Sequence, residues 1–281
     1  MEQLVFSLIH RPYVTGFMVF FTLFSVIEQG WLRTILWVVS SYLIALAAEW
    51  GSINHGIPFG DYQYHYDALQ NDLVVWGVPF FDTISFSFLS FVSLSFATFF
   101  LLPIVGRGLN LSLKNNDQIR ESWTALILGS FLMVVIDWIV DPVANLGEHW
   151  FLGKIYDYPA PGVHFGVTFA NYCGWFVVAL LTLSVNCWIS KKLRQAGLHR
   201  PDLEPRAGSA FFAPLFWFGI VGFQLGMTWW LALSRPEGLD ADRTMLQAVT
   251  GSFILAPILA LTVIQIFKAS PGYKKAISDS E

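Results

Sequence analysis

The sequence predicts an all-α fold: a polytopic membrane helical bundle of about seven transmembrane helices, forming one integral membrane domain over residues 1–281. Three observations carry that prediction. Hydrophobic residues make up 55% of the chain and charged residues only 13%, whereas a soluble domain carries about 25% charged residues. Seven apolar runs approach or exceed the ~20 residues that a spanning helix needs, at 13–28, 31–49, 73–105, 123–141, 165–190, 209–233 and 247–267. Lys and Arg are unevenly shared between alternate connections, as the positive-inside bias requires.

The first run follows Arg11-Pro12 and ends at Glu28 without a small-x-small cleavage pattern, which marks a retained helix rather than a signal peptide. The second ends on a carboxylate, Glu49. The third is long, and Gly77 and Pro79 near its start place the helix proper after them, with the preceding turn at the interface. The fourth closes on IDWIVDP, where Asp141 before Pro142 marks a helix end. The fifth carries Cys173 and Cys187 fourteen residues apart, about 21 Å along one helix, so these two cannot pair. Pro214 and Pro257 sit in the last two runs, where lipid-embedded helices tolerate proline.

One set of connections receives Arg33, Arg107, Lys114, Arg120, Lys191, Lys192, Arg194, Arg200, Arg206, Lys268, Lys274 and Lys275; the other receives Arg11, Lys154, Arg235 and Arg243. This twelve-to-four asymmetry puts the N-terminus outside and the C-terminus in the cytoplasm, in the cell (inner or plasma) membrane. Trp50, Tyr62, Tyr64, Trp76, Trp123, Trp150, Tyr156 and Tyr158 fall near span ends, as an interfacial aromatic belt does. The basic residues form no stripe, and no nucleic-acid partner is indicated.

The two polar connections on the outer side, 50–72 and 142–164, resemble each other. Glu49 is followed 28 residues later by GVPFFD (Gly77 to Asp82), and Asp137 29 residues later by GVTFAN (Gly166 to Asn171). The second and third helices and the fourth and fifth therefore read as two copies of one hairpin, with Asp82 and Asn171 in matching places.

Ionisable groups in apolar runs are costly and point to function. Glu49, Asp82, Asp137 and Asp141 are such groups, with Asp61 in the first polar loop. Asp137 and Asp141 lie four apart on one helix face. Two carboxylates so placed repel, and one keeps its proton, as a general acid needs. His55, His65, His149 and His164 form none of the spacings that align ligands for zinc or di-iron, so no metal is expected. The D-x-x-x-D spacing alone is shared with intramembrane prenyltransferases, but their second Asp-rich segment is missing. A retinal-binding protein would need a lysine in the last helix, and 247–267 has none. Aromatic residues flank the carboxylates, including Phe59, Tyr62, Tyr64, Phe165 and Trp175; such a wall suits an extended apolar substrate and a developing cation.

Three segments, AEWGSINHGIPFGDYQY, IDWIVDPVA and HFGVTFANYCGWF, resemble the signature regions of the membrane carotenoid-biosynthesis family that includes the carotenoid hydratases of the γ-carotene and bisanhydrobacterioruberin type. The resemblance covers about residues 40 to 180. Thr168 departs from it, standing where a G-V-P proline is usual. It implies cofactor-free addition of water to a terminal isoprenoid double bond of a long polyene, giving a tertiary alcohol. Glu49, Asp137, Asp141, Asp61 and Asp82 are the expected catalytic carboxylates; His55, Pro58, Phe59, Tyr62, Tyr64, Phe165, Asn171 and Trp175 are the expected substrate contacts. The implied partners are the polyene, water, the lipid bilayer and other carotenoid-pathway enzymes. A cyclase or isomerase using the same protonation, and a proton-coupled lipid or terpenoid transporter or binding protein, fit the same residues.

Overall fold

The computed structural model describes residues 2–114, 116–150, 153–198 and 206–269. Arg200, Lys274 and Lys275 of the charge asymmetry lie outside the described residues. The helices are α1 Glu2–His10, α2 Pro12–Gln29, α3 Trp31–His55, α4 Phe80–Leu101, α5 Asp117–Arg120, α6 Trp123–Ala144, α7 Phe169–Gln195, α8 Ser209–Ser234 and α9 Ala241–Lys268. Short strands join them: β1 Gln63–Tyr64, β2 Val74–Val75, β3 Val78–Pro79, β4 Ile104–Val105, β5 Ser112–Leu113 and β6 Tyr156–Asp157. Among the described residues, α3, α4, α6, α7, α8 and α9 are each long and apolar enough to cross a membrane, and the bent pair α1–α2 makes a seventh. The bundle is all-α and polytopic, as its composition predicts.

Helix ends differ from the apolar runs for local reasons. α3 continues past Glu49 to His55, because Ser52 is buried and its Oγ accepts the Phe59 amide, and Gly56 then ends the helix in a left-handed cap at φ 69°. α6 runs through Pro142 to Ala144, and Gln247 Nε2 of α9 donates to the Pro142 carbonyl at 3.2 Å. α9 begins at Ala241, capped by the Asp240 side chain on the Arg243 amide, so it is longer than its apolar run. α1 turns 92° from α2 at Arg11-Pro12. That corner is pinned by Arg11 Nη2 on Asp72 Oδ2 at 2.8 Å and Ser7 Oγ on Asp72 Oδ1 at 2.9 Å, with the Arg11 guanidinium over the Phe81 ring.

α4 is the central helix and α9 the most lipid-exposed. Ser87, Ser90, Ser93 and Ser95 are buried along α4, where small side chains let neighbouring helices approach; the Trp37 indole of α3 donates to the Ser87 carbonyl and Ser90 Oγ. The serine-rich character of this span is thus a packing feature.

The repeat is visible in the backbone. β2 and β3 form a hairpin whose two turn residues, Trp76 and Gly77, both have positive φ (53° and 85°); the bridge His164↔Val167 encloses Phe165 and Gly166, also positive (54° and 97°). Two positive φ values in a two-residue loop match the right-handed twist of the flanking strands. Each hairpin runs directly into a helix, capped by Pro79 in α4 and by Thr168 in α7, where Thr168 Oγ1 accepts the Asn171 amide. Threonine in place of proline is therefore a helix cap, and Asp82 and Asn171 are both the third residue of their helices. α3 packs on α4 and α7, and α6 packs on α7 and α4, closing a four-helix ring.

Candidate active site

The polar connections 50–72 and 142–164 meet across that ring. β1 pairs antiparallel with β6, Gln63 opposite Asp157 and Tyr64 opposite Tyr156. A two-fold relation through the Gln63–Asp157 pair exchanges Tyr62-Gln63-Tyr64 with Tyr156-Asp157-Tyr158. On the rim, Asp157 accepts from Gln63 Nε2 at 3.1 Å and sits 3.2 Å from His65 Nε2 and 3.3 Å from Lys154 Nζ. Slight burial works against its charge, but the Gln63 and Lys154 hydrogen bonds and the His65 charge hold the Asp157 carboxyl below the usual carboxylate range.

Beneath this strand pair lies a cavity of about 990 Å³ including its mouth. Its polar wall is Glu49 from α3, Asp82 from α4, Asp137 and Asp141 from α6, Asn171 from α7, Gln224 from α8 and the four tyrosines Tyr62, Tyr64, Tyr156 and Tyr158. Its apolar wall includes Tyr13, Val14 and Phe17 of α2, Phe86 and Leu89 of α4, Phe59, Trp150 and Trp175.

Every carboxylate has a neutral donor. The Tyr62 hydroxyl donates to Glu49 Oε2, and the Tyr64 hydroxyl donates to Asp82 Oδ2 at 2.8 Å while lying 3.3 Å from Glu49 Oε2. Tyr156 donates to Asp141 Oδ1 at 2.9 Å and Tyr158 to Asp141 Oδ2 at 2.8 Å. Asn171 Nδ2 bridges Asp137 Oδ2 at 2.8 Å and Asp141 Oδ2 at 2.9 Å. Asp137 Oδ1 is buried and receives no hydrogen bond from a phenol or amide among the described residues, and the Asp137 carboxyl lies within hydrogen-bond reach of the Asp141 carboxyl. Burial, then the charge of Asp82, raises the Tyr64 phenol pKa well above its ordinary value; burial and the charge of Asp141 do the same for Tyr156 and Tyr158. These hydroxyls therefore stay protonated donors. Trp175 stacks on Phe86 at 4.6 Å, with Phe59 6.2 Å from Phe86 and 6.1 Å from Trp175, giving three rings at the cavity side.

Of the residues singled out in the sequence, Glu49, Asp82, Asp137, Asp141, Phe59, Tyr62, Tyr64, Asn171 and Trp175 line this one cavity. Four lie outside it. Asp61 is exposed, its carboxylate packed over Gly56. His55 is exposed at the end of α3 and packs edge-on against Trp50. Pro58 is on the outer turn, its carbonyl against Gly174, and Phe165 occupies the α7 hairpin turn beside a separate small cavity. The extension of α3 to His55 carries this stretch past the cavity before the chain turns back at Phe59. Tyr156 and Tyr158, read as belt residues, are cavity residues; the signal was the repeated Tyr-x-Tyr.

α2 and α8 each pack on α4, but what closes the interval between them is a set of rings. Tyr13 and Phe223 lie 6.1 Å apart, Phe17 is 6.2 Å from Phe216 and 6.3 Å from Phe223, and Phe20 is 4.8 Å from Phe216. Tyr13 and Phe17 face the cavity, while Phe20 and Phe223 are exposed on the outer surface.

Among the described residues, no group of three or more His, Cys, Asp or Glu side chains is arranged to hold a metal ion. A family model described as "Carotenoid biosynthesis protein" matches residues 12–236. No curated protein and no solved structure matches the chain.

Proposed function

The chain belongs to the carotenoid biosynthesis protein family, and from that membership we propose that it is a carotenoid hydratase, adding water to a terminal isoprenoid double bond of a long polyene to give a tertiary hydroxyl. The observation that supports this most is a single apolar cavity holding four carboxylates, each bonded to a phenol or an amide, with no Lys, Arg or His in its described wall. Protonating a carbon atom requires an acid shielded from bulk solvent and from neutralising cations. A tertiary cation requires aromatic faces, supplied by Phe59, Phe86 and Trp175.

In this reading Asp137, with its bare Oδ1, is the proton donor, and Glu49 is the alternative donor held by two tyrosines. The π electrons of the alkene form the new C–H bond with the carboxyl proton, leaving the cation on the more substituted carbon. A lone pair of water forms the C–O bond. The surplus proton of that water returns to the Asp137–Asp141 pair, which restores the acid. Hydration changes no oxidation state overall, so the proposal needs no redox cofactor. The polyene comes from the bilayer through the aromatic interval between α2 and α8, with its reacting end under the tyrosine strand pair. The charge asymmetry supports a reading in which that end faces the side away from the basic connections.

The test is pigment extraction from cells making an acyclic polyene, with and without this protein, followed by mass measurement for the gain of one water. Label from ¹⁸O-water should appear in the product; an unlabelled, cyclised product would favour a cyclase. Asp137→Asn and Glu49→Gln should each abolish product while the protein remains in the membrane. Full activity in both variants would overturn the assignment.

A further inference from the structure

Gln224 is a polar residue in the middle of the apolar helix α8. It is 4% exposed, it lines the cavity, and its Oε1 has no hydrogen-bond partner among the described residues. An amide oxygen left bare in a buried wall loses the hydrogen bond it makes in water, so such a group usually has a ligand or water for a partner.

Its depth in the bundle is fixed by two contacts. α6 packs on α8, and the contacts Leu132–Trp217 and, through Gly251, Ile139–Leu225 advance in the same order along both, so the two helices run parallel. The Trp217 indole of α8 donates to the Leu132 carbonyl of α6 at 3.3 Å. Seven residues further along each helix, about 10.5 Å, come Gln224 and Ile139. Independently, a Cβ built on Gly251 of α9 would lie 3.0 Å from Leu225 Cδ1 and 3.9 Å from Ile139 Cγ1, so residues 224–225 and 139 stand at one level. Asp137 is two residues from Ile139 and faces the same cavity with its own bare Oδ1. The two unpartnered buried oxygens of the cavity wall therefore come from packed helices at nearly the same depth, one an amide and one a carboxyl.

We propose that Gln224 and Asp137 together hold the water that becomes the product hydroxyl. This rests on the hydratase reading and deepens it. Gln224 Oε1 accepts one O–H of the water; the other O–H is directed at the Asp137–Asp141 pair, leaving a lone pair for the cation. Before the reaction the water satisfies both bare oxygens. Afterwards the new tertiary hydroxyl takes its place. Gln224 is thus a positioning residue for the nucleophile and takes no part in protonating the alkene.

The test separates protonation from hydration. The full-length protein is supplied with the polyene in D₂O, and two products are measured: the hydrated polyene, and deuterium in recovered, unhydrated polyene. The latter reports protonation followed by loss of a proton. With Gln224→Leu, hydrated product should fall about tenfold while deuterium exchange persists or rises. Gln224→Met, closer in shape to glutamine, should behave the same way and guards against a packing defect peculiar to leucine. Wild-type hydration in both variants would overturn the inference. So would a joint loss of hydration and exchange in a variant that still purifies as a folded protein, because Gln224 would then support the site as a whole. A wild-type protein that forms no hydrated product strikes instead at the hydratase reading beneath it.

Discussion

Gly174→Ala tests how closely the cavity wall depends on one helix-to-loop contact. A Cβ at position 174 on α7 would lie 2.6 Å from the Pro58 carbonyl oxygen, 2.7 Å from its carbon and 2.8 Å from Phe59 Cδ1. Two of these are backbone atoms, so no rotamer change relieves the clash. Restoring ordinary contact at about 3.5 Å means moving the 58–59 turn outwards by roughly 0.9 Å, or displacing α7 by as much. Overpacking of this kind costs about 1–3 kcal/mol. The displaced turn carries Phe59, which touches both Trp175 and Phe86. Stability and product yield should therefore fall together: a lowered unfolding temperature in detergent, and hydration reduced about tenfold or more, since a misplacement near 1 Å costs up to about a hundredfold. Gly222→Ala is the control, because a Cβ there meets nothing within 4 Å. A Gly174→Ala protein that melts and turns over like the control would refute the close approach of α7 to this turn.

Three other outcomes follow from the same geometry. Tyr158→Phe removes one of three donors to Asp141; a hydrogen bond to a charged group contributes about 1.5–3 kcal/mol, so steady-state turnover should drop about 10- to 100-fold with the protein still folded. Cysteines at Tyr13 and Phe223, joined by a short reducible thiol crosslinker, should close the α2–α8 interval, abolish activity on polyene in liposomes and restore it on reduction. Asn171→Asp exchanges the amide that bridges Asp137 and Asp141 for a third acceptor of the same shape, and should cost at least as much activity as Tyr158→Phe, measured as product per mass of membrane protein.

The spans and the carboxylates were legible in the sequence because each violates its surroundings. An apolar run is conspicuous in a polar connection, and Glu49, Asp82, Asp137 and Asp141 are conspicuous in apolar runs. Asn171 was found through spacing, as the counterpart of Asp82, although an asparagine alone carries little signal. Gln224 was not legible: one amide in FGIVGFQLGMTWW has the look of a helix-packing hydrogen bond, and only its bare oxygen and its depth distinguish it. Asp61 and His55 were misleading for the opposite reason. They lie near Glu49 and Tyr62 in sequence, but α3 continues for about 1.7 turns beyond Glu49 and carries that segment past the cavity. The positive φ of Trp76 and Phe165 was also hidden, because an aromatic residue is not the usual occupant of such a turn.

The two copies also differ, and the differences bear on where the acid lies. Four residues after Asp137 comes Asp141, whereas four residues after Glu49 comes Ile53; the third residue of the following helix is Asn171 in one copy and Asp82 in the other. Each copy contributes two carboxylates, on separate helices in the first and one turn apart on α6 in the second. In the first copy Tyr64 contacts both Glu49 and Asp82 and is shared between them. In the second, Asp141 accepts from two tyrosines and the asparagine, whereas Asp137 accepts from the asparagine alone, through Oδ2, and its Oδ1 receives no donor among the described residues. Hydrogen bonds to a carboxylate favour its ionised form. The second copy therefore divides its donors unequally, three to Asp141 and one to Asp137, while the first shares Tyr64 between Glu49 and Asp82. The cavity is built from two hairpins, and their difference at positions 141 and 171 is what favours Asp137 over Glu49 as the donor in the proposed hydration.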